Sequence, residues 1–247
     1  MLQAMRIGES SKVMLPVMVC QDGFITSHGI ENIELLETEK VKKFVGEYKP
    51  ENYMLKKENP MSVGAYATAA YYMEAKRAQA QAMIDAKEAI LKVAAEFEKV
   101  TGRKYGFFEE YMMEDAEEAI VVIGSTAGTA KEAVNMMRKE GKKVGLIKLR
   151  VLRPFPMNEL KAALSHVKAA AVLDKSESFS ACGGPLFAEV RSALYDCGTR
   201  PLMVNYIYGL GGRDVTVENI QYVYESLEEI AAAGKTGETY RYLGVRE

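Results

Sequence analysis

Ala119-Ile120-Val121-Val122-Ile123-Gly124-Ser125-Thr126-Ala127-Gly128-Thr129 decides the fold. Five consecutive apolar residues, too few for a helix and rich in β-branched side chains, read as a strand buried on both faces. The glycine that ends it and the small polar residues that follow open a helix predicted over 126–140, which Gly141 terminates. The same alternation then repeats. Val144 to Leu149 is the next strand, followed by Arg153-Pro154-Phe155-Pro156 and a short helix over 157–165. Ala169 to Asp174 is a third strand, with a helix over 184–196, and Leu202 to Ile207 a fourth, with a last helix from Val217 to Ala232. Strands alternating with helices rejoin one sheet only by crossover connections, so a three-layer α/β domain with a mainly parallel open sheet is predicted over 102–247.

Upstream, the residues from about Ala65 to Thr101 are rich in Ala, Glu, Lys, Gln and Met, which are strong helix formers. Met83, Ala86, Ile90, Val93 and Phe97 fall on one face at three- and four-residue steps, and Gly102 stands where a helix ends. One long helix follows, the core of a linker over 59–101. Residues 40–60 carry many charges, Pro50 and Pro60, and no sustained period, which reads as an excursion over a surface. The run Val13-Met14-Leu15-Pro16-Val17-Met18-Val19-Cys20 is expected to be a buried strand. A lone strand cannot cover both of its faces, so residues 1–58 read as a partial segment whose completion lies outside this chain.

Composition narrows the function classes. With 247 residues, 48% hydrophobic and 27% charged, the chain is long enough for a full domain and a smaller unit. Its 32 basic and 34 acidic residues give a net charge of −2, so no nucleic-acid partner is expected. No apolar run nears the roughly 20 residues of a membrane span, and Met1 to Arg6 lacks a secretory h-region; a cytoplasmic protein is expected. Cys20, Cys182 and Cys197 stand apart from one another and from His28 and His166, so no zinc or iron–sulfur first shell, and no metal, is expected in this chain.

Candidate sites cluster in loops after strands. Gly124-Ser125-Thr126-Ala127-Gly128-Thr129 could cradle an anion at a helix N-terminus, but it fits neither GxGxxG nor GxxxxGK[ST], and small residues there also serve to cap and pack the helix, which is the preferred reading. Arg150 and Arg153 suit bidentate binding of a carboxylate or phosphate, or an ion pair to an acid on a neighbouring subunit. Gly209, Gly211 and Gly212 before Arg213 and Asp214 demand unusual backbone angles or a close approach, with a subunit contact favoured; Asp214 or Thr216 is the N-cap that follows. His28 suits a general base or a pH-sensitive hydrogen bonder. His166 is read as capping carbonyls or facing solvent, and Cys182 as a small filler. No complete catalytic set is present.

Taken together, Pro16-Val17-Met18-Val19-Cys20-Gln21-Asp22-Gly23-Phe24 with Thr26-Ser27-His28, the Gly124 to Thr129 turn, Gly145 to Arg150 with Arg153-Pro154-Phe155, Val172 to Lys175, and Gly209 to Asp214 resemble the α subunit of the pyruvate (2-oxoacid):ferredoxin oxidoreductases. The order and spacing agree over about residues 5–230. The resemblance implies a C-terminal remnant of a pyrimidine-type thiamine diphosphate-binding domain over 1–58 and a transketolase C-terminal-like domain over 102–247. It implies a complex that decarboxylates a 2-oxoacid, passes the acyl group to coenzyme A and sends electrons through iron–sulfur clusters to ferredoxin. Thiamine diphosphate, magnesium and the clusters would then be held by partner subunits, and this chain, inactive alone, would serve as scaffold and interface. Asp22, Thr26 and His28 are the candidates for the substrate or cofactor side; Arg150, Arg153, Gly211, Gly212 and Arg213 are candidates for an interface or anion contact. The competing readings are a free-standing nucleotide- or coenzyme A-binding module and a non-catalytic interaction protein.

Overall fold

Runs of apolar residues become strands buried from both sides, and the alternation of their side chains decides which helices cover them. The computed structural model describes residues 1–246. In it β2 (Glu118–Ile123), β3 (Val144–Leu149), β4 (Ala169–Asp174) and β5 (Leu202–Ile207) are parallel neighbours in a six-stranded sheet of order β1-β3-β2-β4-β5-β6. Ile120 and Val122 pack with α4 (Thr126–Lys139) and α7 (Val217–Ala233) on one face, through Ala127, Ala130, Val134, Ile220 and Leu227. Ala119 and Val121 pack on the other face with α5 (Met157–Leu164) and α6 (Pro185–Leu194), through Leu160, Leu164, Phe187 and Val190. The three-layer, mainly parallel architecture read from the sequence is the one observed, with four strands and their helices within two residues of the expected limits.

Two strands were invisible to that reading. β1 (Phe108–Tyr111) runs antiparallel to β3 at one edge, and β6 (Tyr240–Tyr242) runs parallel to β5 at the other. Both are short and carry charges, Glu109 and Glu110 in the first and Arg241 in the second, as edge strands do to discourage pairing with other chains. Without an apolar run they give no pattern to read.

The chain divides into two compact units, residues 1–20 with 31–106, and residues 21–30 with 107 onward. In the first, α3 (Ala69–Thr101) is a continuous helix of 33 residues that ends at Gly102 in a left-handed conformation, φ 69°, whose amide bonds back to Glu98 O. Ala86, Ile90, Val93, Ala94 and Phe97 form its buried stripe. Two helices missing from the sequence reading accompany it, α1 (Leu2–Gly8) and α2 (Thr38–Val45). Phe44 of α2 meets Phe97 edge to face at 5.2 Å, and Arg6 of α1 pairs with Glu96 at 2.5 Å. The excursion expected over 40–60 therefore begins as a helix, because one aromatic residue was enough to seat a segment otherwise dominated by charge.

The buried strand expected over 13–20 is not present. Val13 is buried, but Val17, Met18 and Val19 are exposed, and no described residue pairs with this run. Apolar content proposes a strand; a hydrogen-bonded neighbour makes one.

Candidate functional site

In an open α/β sheet, ligands are received outside the C-terminal ends of adjacent strands whose connections leave in opposite directions. Here those strands are β2, which continues through α4 to β3, and β4, which continues through α6 to β5 on the far side. The turn after β2 has Gly124 at φ 83°, and the amide of Ser125 donates to Asp22 Oδ2 at 2.5 Å. A Cβ on Gly124 would stand 2.8 Å from that oxygen, so the glycine leaves the room the carboxylate uses. One residue further, Thr126 Oγ1 lies 3.0 Å from Tyr208 Oη. Burial pushes the Tyr208 phenol up to about 12, against the Thr126 hydrogen bond and with the charges of Asp22 and Asp174 adding to it, so it stays neutral. The helix N-terminus singled out as an anion cradle does face an anion, and that anion belongs to the chain itself.

Residues 21–30 thus fold with the α/β unit. They form a tight turn in which Phe24, at φ 67°, donates its amide to Ser27 Oγ at 2.8 Å, and the His28 amide donates to Phe24 O at 2.9 Å. The His28 ring stacks on Phe24 with centroids 5.2 Å apart, and its Nδ1 lies 2.8 Å from Ser27 Oγ. Thr26 and His28 are exposed, so of the three candidates for the substrate or cofactor side only Asp22 is engaged with the sheet.

A buried carboxylate with three donors escaped the sequence reading. Asp174 ends β4 and is 3% exposed. Its carboxylate accepts from the amides of Leu186 at 2.8 Å and Phe187 at 3.0 Å, and from Asn205 Nδ2 at 2.9 Å. Asn205 Oδ1 in turn accepts from Gly184 N at 2.8 Å. Burial raises the Asp174 carboxyl above its usual range, the three hydrogen bonds opposing that shift. The signal was an acid closing an apolar strand nine residues before Gly183-Gly184-Pro185: a helix start with no capping residue of its own needs an acceptor from elsewhere. In the intervening loop, Glu177 accepts from Tyr240 and Tyr242 hydroxyls and from the Phe179 amide, which hold its carboxyl down at about 2.

The interface candidates do not join this cluster. Arg153 donates to Glu189 Oε1 at 2.6 Å and to Leu152 O at 2.9 Å, so its acid partner is found within the chain. Arg150 is exposed, its amide donating to Phe107 O at 2.9 Å. Gly211 and Gly212 adopt φ 67° and 84° within the 3-10 turn Leu210–Gly212, and Arg213 donates to Gly244 O at 2.6 Å. Thr216 is the N-cap of α7, in a capping box with Asn219. His166 Nε2 lies 2.8 Å from Met113 O.

Residues 1–95 match the family described as "Pyruvate flavodoxin/ferredoxin oxidoreductase, thiamine diP-bdg", and residues 116–220 match "Pyruvate:ferredoxin oxidoreductase core domain II". The chain belongs to the pyruvate:ferredoxin oxidoreductase family. It is 45% identical over 244 residues to the pyruvate synthase subunit PorA of Thermotoga maritima, covering 99% of this chain and 61% of that protein. It is 39% identical over 245 residues to PorA of Pyrococcus furiosus, covering 99% and 62%. To the ketoisovalerate oxidoreductase subunit VorA of Pyrococcus horikoshii it is 41% identical over 235 residues, covering 95% and 59%. The chain therefore spans about three-fifths of the length of these relatives, and the family resemblance read from the motifs is borne out.

Family membership implies thiamine diphosphate, and the turn after β2 does not by itself fit the diphosphate. Among the described residues no group of three or more His, Cys, Asp or Glu gathers that could hold a metal ion by itself. The strand-to-helix turn after β2 presents Asp22 to its own helix N-terminus, and a diphosphate there would meet like charge.

Proposed function

We propose that this chain is part of the α subunit of a thiamine diphosphate-dependent 2-oxoacid:ferredoxin oxidoreductase and works there as scaffold and subunit interface. The observation that carries this reading is identity of 39% to 45% with pyruvate synthase subunits along essentially its whole length. The reaction is decarboxylation of the 2-oxoacid, transfer of the acyl group to coenzyme A, and delivery of two electrons to ferredoxin, with release of carbon dioxide. The cofactor supplies the carbanion chemistry when bound. Partner chains hold its diphosphate, the magnesium and the iron–sulfur clusters.

Residues 1–58 are read as the end of the thiamine-binding domain, 59–101 as the linker helix and 102–247 as the second domain. Asp22, Thr26 and His28 belong to the substrate or cofactor side, and Arg150, Arg153, Gly211, Gly212 and Arg213 to a subunit interface. Pyruvate is the favoured 2-oxoacid on the 45% identity to a pyruvate synthase subunit, while the 41% identity to VorA supports a branched-chain substrate as the second reading.

Co-expression of all cognate chains tests the proposal. The chain should co-purify with a thiamine-bearing partner, and the assembly should reduce ferredoxin in the presence of coenzyme A and pyruvate faster than with 2-oxoisovalerate. Absence of such a complex overturns the reading; the reverse substrate preference selects the second one.

A further inference from the structure

The turn of residues 21–30 is strained, exposed and specific, and burial does not explain it. Phe24 holds a left-handed backbone, φ 67°, that bulky residues avoid, yet its side chain is 75% exposed, and Ile25 beside it is exposed as well. Gly29 closes the turn against Ile25 O, where a Cβ would come within 2.8 Å. What this backbone produces is a fixed imidazole. Ser27 Oγ accepts from Phe24 N–H and lies 2.8 Å from His28 Nδ1; with the hydroxyl proton directed to Nδ1, the ring proton sits on Nε2. Stacking on Phe24 fixes the plane of the ring, and no described residue bonds Nε2. The turn is joined to the sheet through Asp22 at the α4 N-terminus, at the place an open α/β sheet gives to ligands.

We propose that Asp22 is a positioning residue that acts through His28: seated on α4, its carboxylate fixes the turn of residues 21–30 to the sheet, so that His28 Nε2–H points outward as a donor to a carboxylate or carbonyl oxygen of the 2-oxoacid. This rests on the function proposed above for the substrate class, but the positioning itself does not. Asp22 is two bonds of the chain before Phe24, and its anchorage sets where the turn begins; Ser27 then sets which edge of the ring faces out.

The full chain has two histidines, His28 and His166, which makes the imidazole nitrogen spectrum simple to assign. In the neutral ring the wild type should show His28 in a single Nε2–H tautomer. In Asp22→Ala the tautomer signature should average, and amide exchange at Phe24, His28 and Ser125 should quicken by about tenfold or more, with Val121 and Val172 unchanged. Asp22→Asn keeps an acceptor for Ser125 N and should restore the wild-type spectrum in large part. A His28 spectrum unaltered by Asp22→Ala overturns the proposal. Should that variant fail to fold, Ser27→Ala, with Asp22 still on α4, must average the His28 tautomer while Ser125 exchange stays slow; a retained Nε2–H tautomer overturns the proposal equally. In the assembled enzyme, Asp22→Ala and His28→Gln should lower kcat/KM for the 2-oxoacid by similar factors, and the double variant by no more than either; additive losses also overturn it. An assembly without turnover refutes the proposed function and leaves the spectroscopic result standing on its own.

Discussion

Asp174 gathers three donors onto one buried carboxylate, two of them the first amides of α6. Asp174→Ala leaves those amides and one of the two Asn205 Nδ2 hydrogens without an acceptor, the other still donating to Val172 O, and at about 1–3 kcal/mol for each unsatisfied buried donor the expected loss is about 3 kcal/mol or more in urea unfolding. Because burial raises the folded carboxyl above its ordinary value of 3.8, its contribution to stability is greatest below that value and declines as pH rises through the folded pKa. Glu177 has the opposite sign. Held down at about 2 against an ordinary value of 4.5, chiefly by Tyr240 and then Tyr242, it supports the fold above pH 4.5 and loses that support as pH falls toward 2. Amide exchange at Phe179 and Tyr242 should therefore accelerate across that acid window, and Glu177→Gln should abolish the dependence. These contacts were illegible because the partners lie 31 and 63 residues apart in the chain.

At the scale of elements, α3 shows how far local pattern reaches. Its stripe and its glycine stop were both readable, since a helix satisfies its backbone within itself and needs a partner on only one face. Gly102 is left-handed with open space where a Cβ would be, so Gly102→Ala should lower stability by about 1 kcal/mol from backbone strain alone, measured by thermal unfolding. Phe97→Ala removes the ring that meets Phe44 and Tyr105 and should cost about 3–5 kcal/mol by the same measurement. The four central strands were equally readable, because burial on both faces demands an unbroken apolar run. The failed strand over 13–20 satisfied that same demand in composition and lacked a ladder partner, whereas β1 and β6 have partners and lack the composition.

Across the whole molecule, nearly every residue from 46 to 68 is exposed, and this stretch contains the Lys56-Lys57 pair. Brief trypsin treatment should cut there first, while the amides of β2, β4 and β5 stay protected by their parallel neighbours; early cleavage inside those strands would contradict the division into units. The α/β class, the order of its central elements and the family were determined by the sequence alone, through hydrophobic runs, helix stops and motifs in series. Candidate residues could be named the same way, but their roles could not. Only the tertiary structure decided that Asp22 lies on the α4 N-terminus, that Arg153 meets Glu189 within the chain, and that Asp174 caps α6. The reason is physical: periodicity and propensity act between residues a turn or a strand apart, whereas a carboxylate takes whatever donors the folded chain brings within about 3 Å, and sequence distance does not limit that choice.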